Sequence, residues 1–147
     1  MTMPSTQTIP TSTIKEDLIR HEDVVHEVYT DSLGYKTSGI GHREYVLEVG
    51  EAVSMEYIMD NFNDDLREAT EAANNLIQLD EHPDNVQRVL VNMAFNLGEN
   101  GLSKFTRMLD AVEENNYQRA ADEMKQSVWY GQVKGRAVEL EQLMRNH

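Results

Sequence analysis

Three polar residues near the start of the chain have the side chains that cleavage of a glycosidic bond requires. Glu22 lies at the end of a predicted helix, Asp31 lies in a predicted turn and Thr37 lies in the strand predicted after it. A glycosidase uses one carboxylic acid to protonate the leaving oxygen and a second carboxylate to activate water or to attack directly. The Thr37 hydroxyl could hold the attacking water by a hydrogen bond. Two acids and a threonine are common on any acidic surface, so these three residues alone do not establish a site.

A first helix is predicted to place Glu22. Thr13, with Glu16 three residues later, has the pattern of a capping box, and the helix is expected to run to about Glu22. Residues 1–12 are rich in Thr, Ser and Pro and have neither a basic start nor an apolar core, which is typical of a flexible leader rather than a secretory signal.

A β-hairpin is predicted to place Asp31 and Thr37. Residues 24–29 and 35–40 are short strand-like segments, and the turn-rich residues 30–34 separate them. A third short strand is predicted around residues 44–47. Because a helix end that faces a hairpin forms the wall of a cleft, the two carboxylates are expected to face each other across it.

The rest of the chain is predicted to be helical. Ser54 is expected to cap a long amphipathic helix, whose apolar residues recur in steps of three and four. A loop at residues 79–83 should end it, and Asp84 should cap another helix that stops at Gly98. Residues 98–101 are expected to form a turn. Further helices are predicted to begin at about Leu102, Tyr117 and Gly135.

Composition and charge exclude several classes of protein. The 147 residues include no cysteine and 39% hydrophobic residues, so we expect one domain with a core and no disulfide or thiolate metal site. The net charge of −13 argues against a nucleic-acid partner. His21 and His26 are spaced five residues apart rather than four, so no metal site is expected on that helix. No apolar run is long enough to insert into a membrane.

The residues around the three candidates resemble the catalytic signature of the phage-type lysozymes, the T-even muramidase family of glycoside hydrolases. Tyr29 lies two residues before Asp31, Gly34 lies three after it, and Gly39-Ile40-Gly41-His42 follows Thr37. The similarity continues in order to the C-terminus, through Asn63-Asp64-Asp65, the stretch Asn92-Met93-Ala94-Phe95-Asn96-Leu97-Gly98, Phe105-Thr106 and Trp129-Tyr130 with Gln132, Arg136 and Ala137.

The resemblance implies an α+β, mostly α fold, with a small hairpin lobe at about residues 24–53. A helical lobe, about residues 54–147 plus the first helix, would complete a single lysozyme-like domain over residues 13–147. The implied activity is hydrolysis of the β-1,4 bond between N-acetylmuramic acid and N-acetylglucosamine in peptidoglycan, without a cofactor. Glu22 would be the general acid, and Asp31, assisted by Thr37, would position or activate the water. The family is held to invert at the anomeric carbon, which requires carboxyl groups about 6.5–9.5 Å apart.

Further roles are implied residue by residue. His42 would pair with Asp65 as a structural ion pair, and Phe95 and Arg43 would contact substrate, Arg43 through its backbone. Two other sugar-contact positions of the family fall on Met108 and Glu123, whose residue types do not match, and no role is assigned to them. Trp129 could be a sugar platform, although burial between helices is the more common use of such a residue.

The implied biological role is that of an endolysin, a monomer kept in the host cytoplasm until a separate holin opens the way to the wall. Two alternatives stay open: a particle-borne lysozyme that acts during infection, and a catalytically silent peptidoglycan-binding module on the same fold. An acidic interaction protein is a third, motivated by the 12 acidic and 2 basic residues from Arg43 to Asp84, but it leaves the hairpin signature unexplained.

Overall fold

The computed structural model describes residues 11–147, which form seven α-helices and one small antiparallel sheet. This confirms the predicted α+β, mostly α class. In chain order the elements are α1 (Thr11–Glu22), β1 (Val25–Thr30), β2 (Lys36–Gly39), β3 (His42–Arg43), α2 (Met55–Leu76), a 3-10 turn (Leu79–Glu81), α3 (Asp84–Ser103), α4 (Thr106–Glu113), α5 (Tyr117–Lys125), α6 (Val128–Val133) and α7 (Gly135–Arg145).

Helix α1 begins at Thr11, two residues before the predicted start. Residues 1–10 of the predicted leader lie outside the described part of the chain. At its other end, α1 stops because Asp23 adopts a left-handed backbone (φ 63°) and donates its amide hydrogen to the Ile19 carbonyl (2.9 Å). Glycine is the usual residue at this helix-ending position. Among non-glycine residues, Asn and Asp tolerate it best.

The three strands form a sheet of order β1-β2-β3, which confirms the predicted hairpin. The third strand was predicted too late, since it spans His42–Arg43 and residues 45–47 form a bend. Gly39 and Gly41 both have positive φ, so the chain reverses at once after β2 and β3 begins immediately. The segment that follows pairs with β1 instead, where the Gly50 amide donates to the Val28 carbonyl (2.9 Å).

The register of the sheet separates two faces. Tyr29 lies opposite Thr37, and Thr37 lies opposite Arg43, so these three side chains share one face, called here the outer face. Ser38 lies opposite His42 on the other side, called here the inner face. Glu44 belongs to the inner face as well, because side chains two residues apart point the same way.

Helix α2 is the longest helix of the described residues, with 22 residues. Ser54 caps it as predicted, since its Oγ accepts the Tyr57 amide hydrogen (3.1 Å). The predicted apolar stripe is confirmed over most of its length, because the residues at its three- and four-residue steps are buried: Ile58, Phe62, Leu66, Ala69 and Ala73. Its predicted first residue, Met55, is 52% exposed, so the buried stripe begins one turn later.

The chain divides into two compact units. One comprises residues 15–68, namely most of α1, the sheet and the first part of α2; the other contains residues 69–147 and the first residues of α1. Within the second unit, α5 packs against α4 and α7. No helix in residues 11–147 is long and apolar enough to cross a membrane.

The helices of the second unit differ from the prediction at several ends. Gly98 interrupts α3 as expected (φ 76°, ψ 169°), but the predicted turn at residues 98–101 is wrong because helical structure resumes directly after this one residue. Asp84 is not the cap. Pro83 precedes the helix instead, and the Asp84 charge lies in the first turn, where the helix dipole favours it.

The last four helices begin at Thr106, Tyr117, Val128 and Gly135. The predicted starts at Tyr117 and Gly135 are confirmed, whereas the one at Leu102 is wrong because that residue still belongs to α3. Helix α6 was not predicted. It has six residues and begins at a Ser127 side-chain cap, too short a segment to show helical periodicity.

Candidate active site

Glu22 is the last residue of α1, and its side chain lies against the backbone of the turn between β2 and β3. A Cβ placed on Gly41 would lie 2.6 Å from Glu22 Oε1 and 2.8 Å from Glu22 Cδ. The carboxyl group therefore occupies the space that a side chain at residue 41 would fill. The left-handed end of α1 at Asp23 and the tight turn at Gly41 together determine where this acid lies.

Asp31 is fixed by the backbone of its own turn. Its Oδ1 accepts the amide hydrogens of Leu33 and Tyr35, both at 2.9 Å, which fixes the orientation of the carboxylate. These backbone hydrogen bonds, that from Tyr35 first, lower the pKa of Asp31, and the charge of Arg43 adds to the effect. Asp31 is consequently ionised at neutral pH, as a group that accepts a proton from water must be.

Thr37 presents an oxygen that can accept a hydrogen bond. Its hydroxyl donates to the Tyr35 carbonyl (3.1 Å), which uses its only hydrogen. A water molecule beside Thr37 would therefore have to donate a hydrogen to it and would keep a lone pair for attack. The residue is 6% exposed, so its orientation is set by the packing around it.

Tyr29 lies near both acids. Burial raises the pKa of its phenol, and the negative charges of Glu22, Asp31 and Asp23 raise it further. Charges act strongly on a side chain only at short range. Thr37 lies directly opposite Tyr29 in the sheet, so Thr37 and the charges of Glu22 and Asp31 all act near this one phenol.

Arg43 lies at the edge of this group. Its guanidinium carbon is 3.7 Å from the centre of the Tyr35 ring, a cation–π contact, and its charge acts on Asp31. The role of Tyr35 was not predicted from the sequence. The alternation of side chains along β2 could have suggested it, since Tyr35 precedes Thr37 by two residues and so points to the same face.

His42 on the inner face contacts Asp65 on α2. His42 Nδ1 lies 2.7 Å from Asp65 Oδ2, and the two side chains are 23% and 26% exposed. The hydrogen bond to Asp65 is the main reason that the pKa of His42 is raised, with smaller contributions from the charges of Asp65, Glu44 and Glu68 and an opposing effect of burial.

Glu44 is a buried carboxylate that was not predicted from the sequence. It is 5% exposed and accepts hydrogen bonds from Ser38 Oγ (2.6 Å) and from Tyr57 Oη (2.8 Å). Ser38 is on β2 and Tyr57 is on α2, so this group joins the sheet to the helix. Two-residue alternation from His42 to Glu44 is the signal that could have placed Glu44 on the packed face.

Phe95 belongs to the other compact unit, where it lies half-buried on α3. Nearby on that helix, Asn96 Oδ1 accepts the indole hydrogen of Trp129 (2.8 Å). Trp129 is 5% exposed and packs edge-on against Phe105 with ring centres 5.9 Å apart, which confirms its predicted burial between helices.

The same unit contains a groove of about 650 Å³. Met108 and Glu123, to which the sequence assigns no role, both line it. Met108 is itself 1% exposed, so its contribution to the groove wall is small and apolar. The charged side chains that line the groove are Lys104, Arg107 and Glu123.

A family model described as phage lysozyme matches residues 19–145. The chain belongs to the phage lysozyme family. It is 30% identical over 152 residues to a probable T4-type lysozyme of Dictyostelium discoideum, an alignment that covers 86% of this chain and 89% of that protein. It is also 30% identical over 154 residues to the pre-baseplate central spike protein Gp5 of Enterobacteria phage T4, covering 87% of this chain and 27% of that protein. Family membership supports a lysozyme-type muramidase with peptidoglycan as its substrate.

Proposed function

We propose that this lysozyme cleaves the β-1,4 bond between N-acetylmuramic acid and N-acetylglucosamine, with Glu22 as general acid and Asp31 as the carboxylate that activates water. The observation that carries the proposal is the difference between the two carboxyl environments around Tyr29. Asp31 is kept ionised by backbone N–H groups, whereas the Glu22 carboxyl lies against the Gly41 backbone. Different environments are how two carboxyl groups take on acid and base roles.

The proposed step is a single displacement. Glu22 gives its proton to the glycosidic oxygen as the bond to the anomeric carbon breaks, while a water oxygen attacks that carbon from the opposite side. Asp31 takes one hydrogen of this water as a proton, and Thr37 Oγ1 accepts a hydrogen bond from the other. The product would have inverted configuration, which requires the two carboxyl groups to leave room for water, about 6.5–9.5 Å. No cofactor takes part in this scheme.

Substrate contacts are proposed for the Arg43 backbone and for Phe95. His42 and Asp65 are proposed to be structural, because their contact joins β3 to α2 rather than facing the outer face. A substitution at His42 is therefore expected to lower stability more than catalytic activity.

We propose that the protein is an endolysin, a monomer that remains in the host cytoplasm until a separate holin gives it access to the wall. Action as a particle-borne lysozyme is a second candidate, favoured by the similarity to the central spike protein of phage T4 over 87% of this chain. The two roles make different predictions for where the protein is found. An endolysin accumulates in infected cells and is absent from purified particles, whereas a particle-borne lysozyme copurifies with them.

The experiment that tests the activity compares wild type, Glu22→Gln and Glu16→Gln for clearing of outer-membrane-permeabilised Gram-negative cells. Glu16 is an exposed glutamate on the same helix and serves as a matched control. The proposal predicts clearing by wild type and Glu16→Gln and loss of clearing in folded Glu22→Gln, with N-acetylmuramic acid at the new reducing ends. Clearing that survives in Glu22→Gln would contradict the role of Glu22.

The assay should be run over a series of salt concentrations, because a protein of net charge −13 is repelled by an anionic wall. Activity is expected to rise with salt and then to fall. Binding to peptidoglycan without clearing at any salt concentration would support the silent binding module instead.

A further inference from the structure

Two glycines have left-handed backbones where β2 turns into β3, Gly39 at the end of β2 and Gly41 in the turn, and each faces a different partner. A Cβ on Gly39 (φ 59°) would lie 3.1 Å from Cγ1 and Cγ2 of Ile58 on α2. A Cβ on Gly41 (φ 63°) would lie 2.6 Å from Glu22 Oε1, 2.8 Å from Cδ and 3.2 Å from Cγ. Gly39 therefore allows the turn to pack on α2, whereas Gly41 allows the Glu22 side chain to lie against the turn.

We infer that Gly41 is a positioning residue for the general acid: its missing side chain leaves the space in which the Glu22 carboxyl group is held. This inference rests on the proposed role of Glu22. Contacts below 3.0 Å cannot persist, so a methyl group at residue 41 would displace the carboxyl group. The displaced atoms are the far end of a flexible side chain, which can rotate away at little cost in folding energy. The loss should therefore appear in catalysis more than in stability.

Gly50 offers a matched control for the backbone strain. It has a comparable left-handed backbone (φ 95°), and no atom of the described residues beyond its chain neighbours lies within 4 Å of a Cβ placed there. Alanine at Gly50 or at Gly41 adds backbone strain of the same left-handed kind. Only the alanine at Gly41 meets the acid.

The test measures kcat and KM on soluble peptidoglycan fragments, together with Tm, for Gly41→Ala, Gly50→Ala, Gly39→Ala and Glu22→Gln. We expect Gly41→Ala to lose about 10²-fold in kcat, the usual effect of misplacing a catalytic group by about 1 Å, with KM little changed. Its Tm should fall about as much as that of Gly50→Ala, which keeps wild-type kcat. Gly39→Ala should lower Tm, because it crowds Ile58, and should keep kcat.

Two results would overturn the inference. One is a folded Gly41→Ala with kcat close to that of wild type; the other is an equal loss of kcat in Gly50→Ala, which would assign the loss to strain alone. Retained activity in Glu22→Gln would instead remove the proposed function on which the inference rests, so the two failures are distinguishable.

A second variant keeps the test decisive if Gly41→Ala does not fold. In Glu22→Ala/Gly41→Ala the methyl group at residue 41 no longer meets the acid. Folding of this double variant would show that the contact with Glu22 prevented folding of the single variant, which supports the inference. Failure of the double variant to fold would show that the turn itself requires glycine, and would overturn it.

Discussion

The two faces of the small sheet each present a carboxylate, in opposite settings. On the side of the outer face, Asp31 lies at the surface, where backbone N–H groups hold it and lower its pKa. On the inner face, Glu44 is 5% exposed and accepts hydrogen bonds from the hydroxyls of Ser38 and Tyr57. Thr37 and Arg43 belong to the outer face, whereas their chain neighbours Ser38 and Glu44 belong to the inner face, so neighbouring positions take opposite roles.

The comparison shows how a sheet of three strands can separate chemistry from stability. Because side chains alternate along a strand, each step of one residue changes the face. The outer face orients Asp31 and Thr37 through hydrogen bonds to the backbone, and Asp31 remains at the surface. The inner face satisfies its polar groups with α2 and so fixes the sheet to the helix. Changes on the outer face should therefore affect activity, and changes on the inner face should affect stability.

The largest effect is expected for Asp31→Asn. The amide cannot take a proton from water, so activity should fall by about 10²–10⁴-fold, the usual contribution of a general base. Tm should change little, because the side-chain oxygen of asparagine can still accept the amide hydrogens of Leu33 and Tyr35. Rates of wall-fragment release and a thermal melt measure both effects. Asp60→Asn, at an exposed aspartate of α2, is the control and should keep the activity and the Tm of wild type. If Asp31→Asn lowered Tm without lowering activity, the proposed roles of the two faces would be reversed.

Glu44→Leu tests the inner face. It leaves the buried Ser38 hydroxyl without its acceptor, at about 1–3 kcal/mol, and removes the acceptor of the half-buried Tyr57 hydroxyl. We expect the free energy of unfolding to fall by about 1–3 kcal/mol in denaturant titrations. Activity measured well below the melting transition should persist. Glu44→Gln retains an acceptor oxygen and should lower the free energy of unfolding less than Glu44→Leu does. A Glu44→Leu variant as stable as wild type would show that the hydrogen bonds of Glu44 contribute no stability.

Asp65→Asn should produce a smaller, pH-dependent loss of stability. The pKa of His42 is raised in the folded protein from an ordinary value of 6.5, mainly by its hydrogen bond to Asp65. The stabilisation that protonated His42 gains from Asp65 is therefore fully present below about pH 6.5. It is lost as the pH rises through the pKa of His42 in the folded protein. We expect Asp65→Asn to lower the free energy of unfolding by about 1.5 kcal/mol at pH 6. This loss should become smaller towards pH 9, and denaturant titrations at each pH measure it.

The neighbouring aspartate provides the control for this pH dependence. Asp64 is 60% exposed and pairs with Arg67 at the surface, where an ion pair contributes at most about 1 kcal/mol. Asp64→Asn should change stability little at any pH between 6 and 9. A cost of Asp65→Asn that stays constant over this range would mean that protonated His42 is not the stabilising partner.

The smallest effect is expected for Arg43→Gln on the outer face. Removal of the charge raises the pKa of Asp31 slightly, because the backbone hydrogen bonds contribute more than Arg43 does. The acid limb of the pH–activity profile should move to higher pH, since Asp31 then takes up a proton earlier as the pH falls. Added salt should reduce the difference between the two profiles. A shift towards lower pH would contradict the electrostatic role of Arg43.

The sequence predicted the fold class, the hairpin, the Ser54 cap and the long amphipathic helix, because these depend on local chemistry. A cap, a turn and a stripe of apolar residues each lie within a few turns of chain. The same reasoning placed the third strand at residues 44–47 and a turn at residues 98–101. It failed there because strand pairing and the return of α3 after Gly98 depend on contacts that local patterns do not contain.

By itself, the sequence determined which residues have the right chemistry and the right order: Glu22, Asp31 and Thr37, with glycines behind them. Only the tertiary structure decided how each is held. It placed a carboxyl group against the Cα of Gly41, directed two amides to one oxygen of Asp31 and buried Glu44 behind the sheet. Spacing along the chain limits which residues can meet, but the distances between side chains depend on how strands and helices pack.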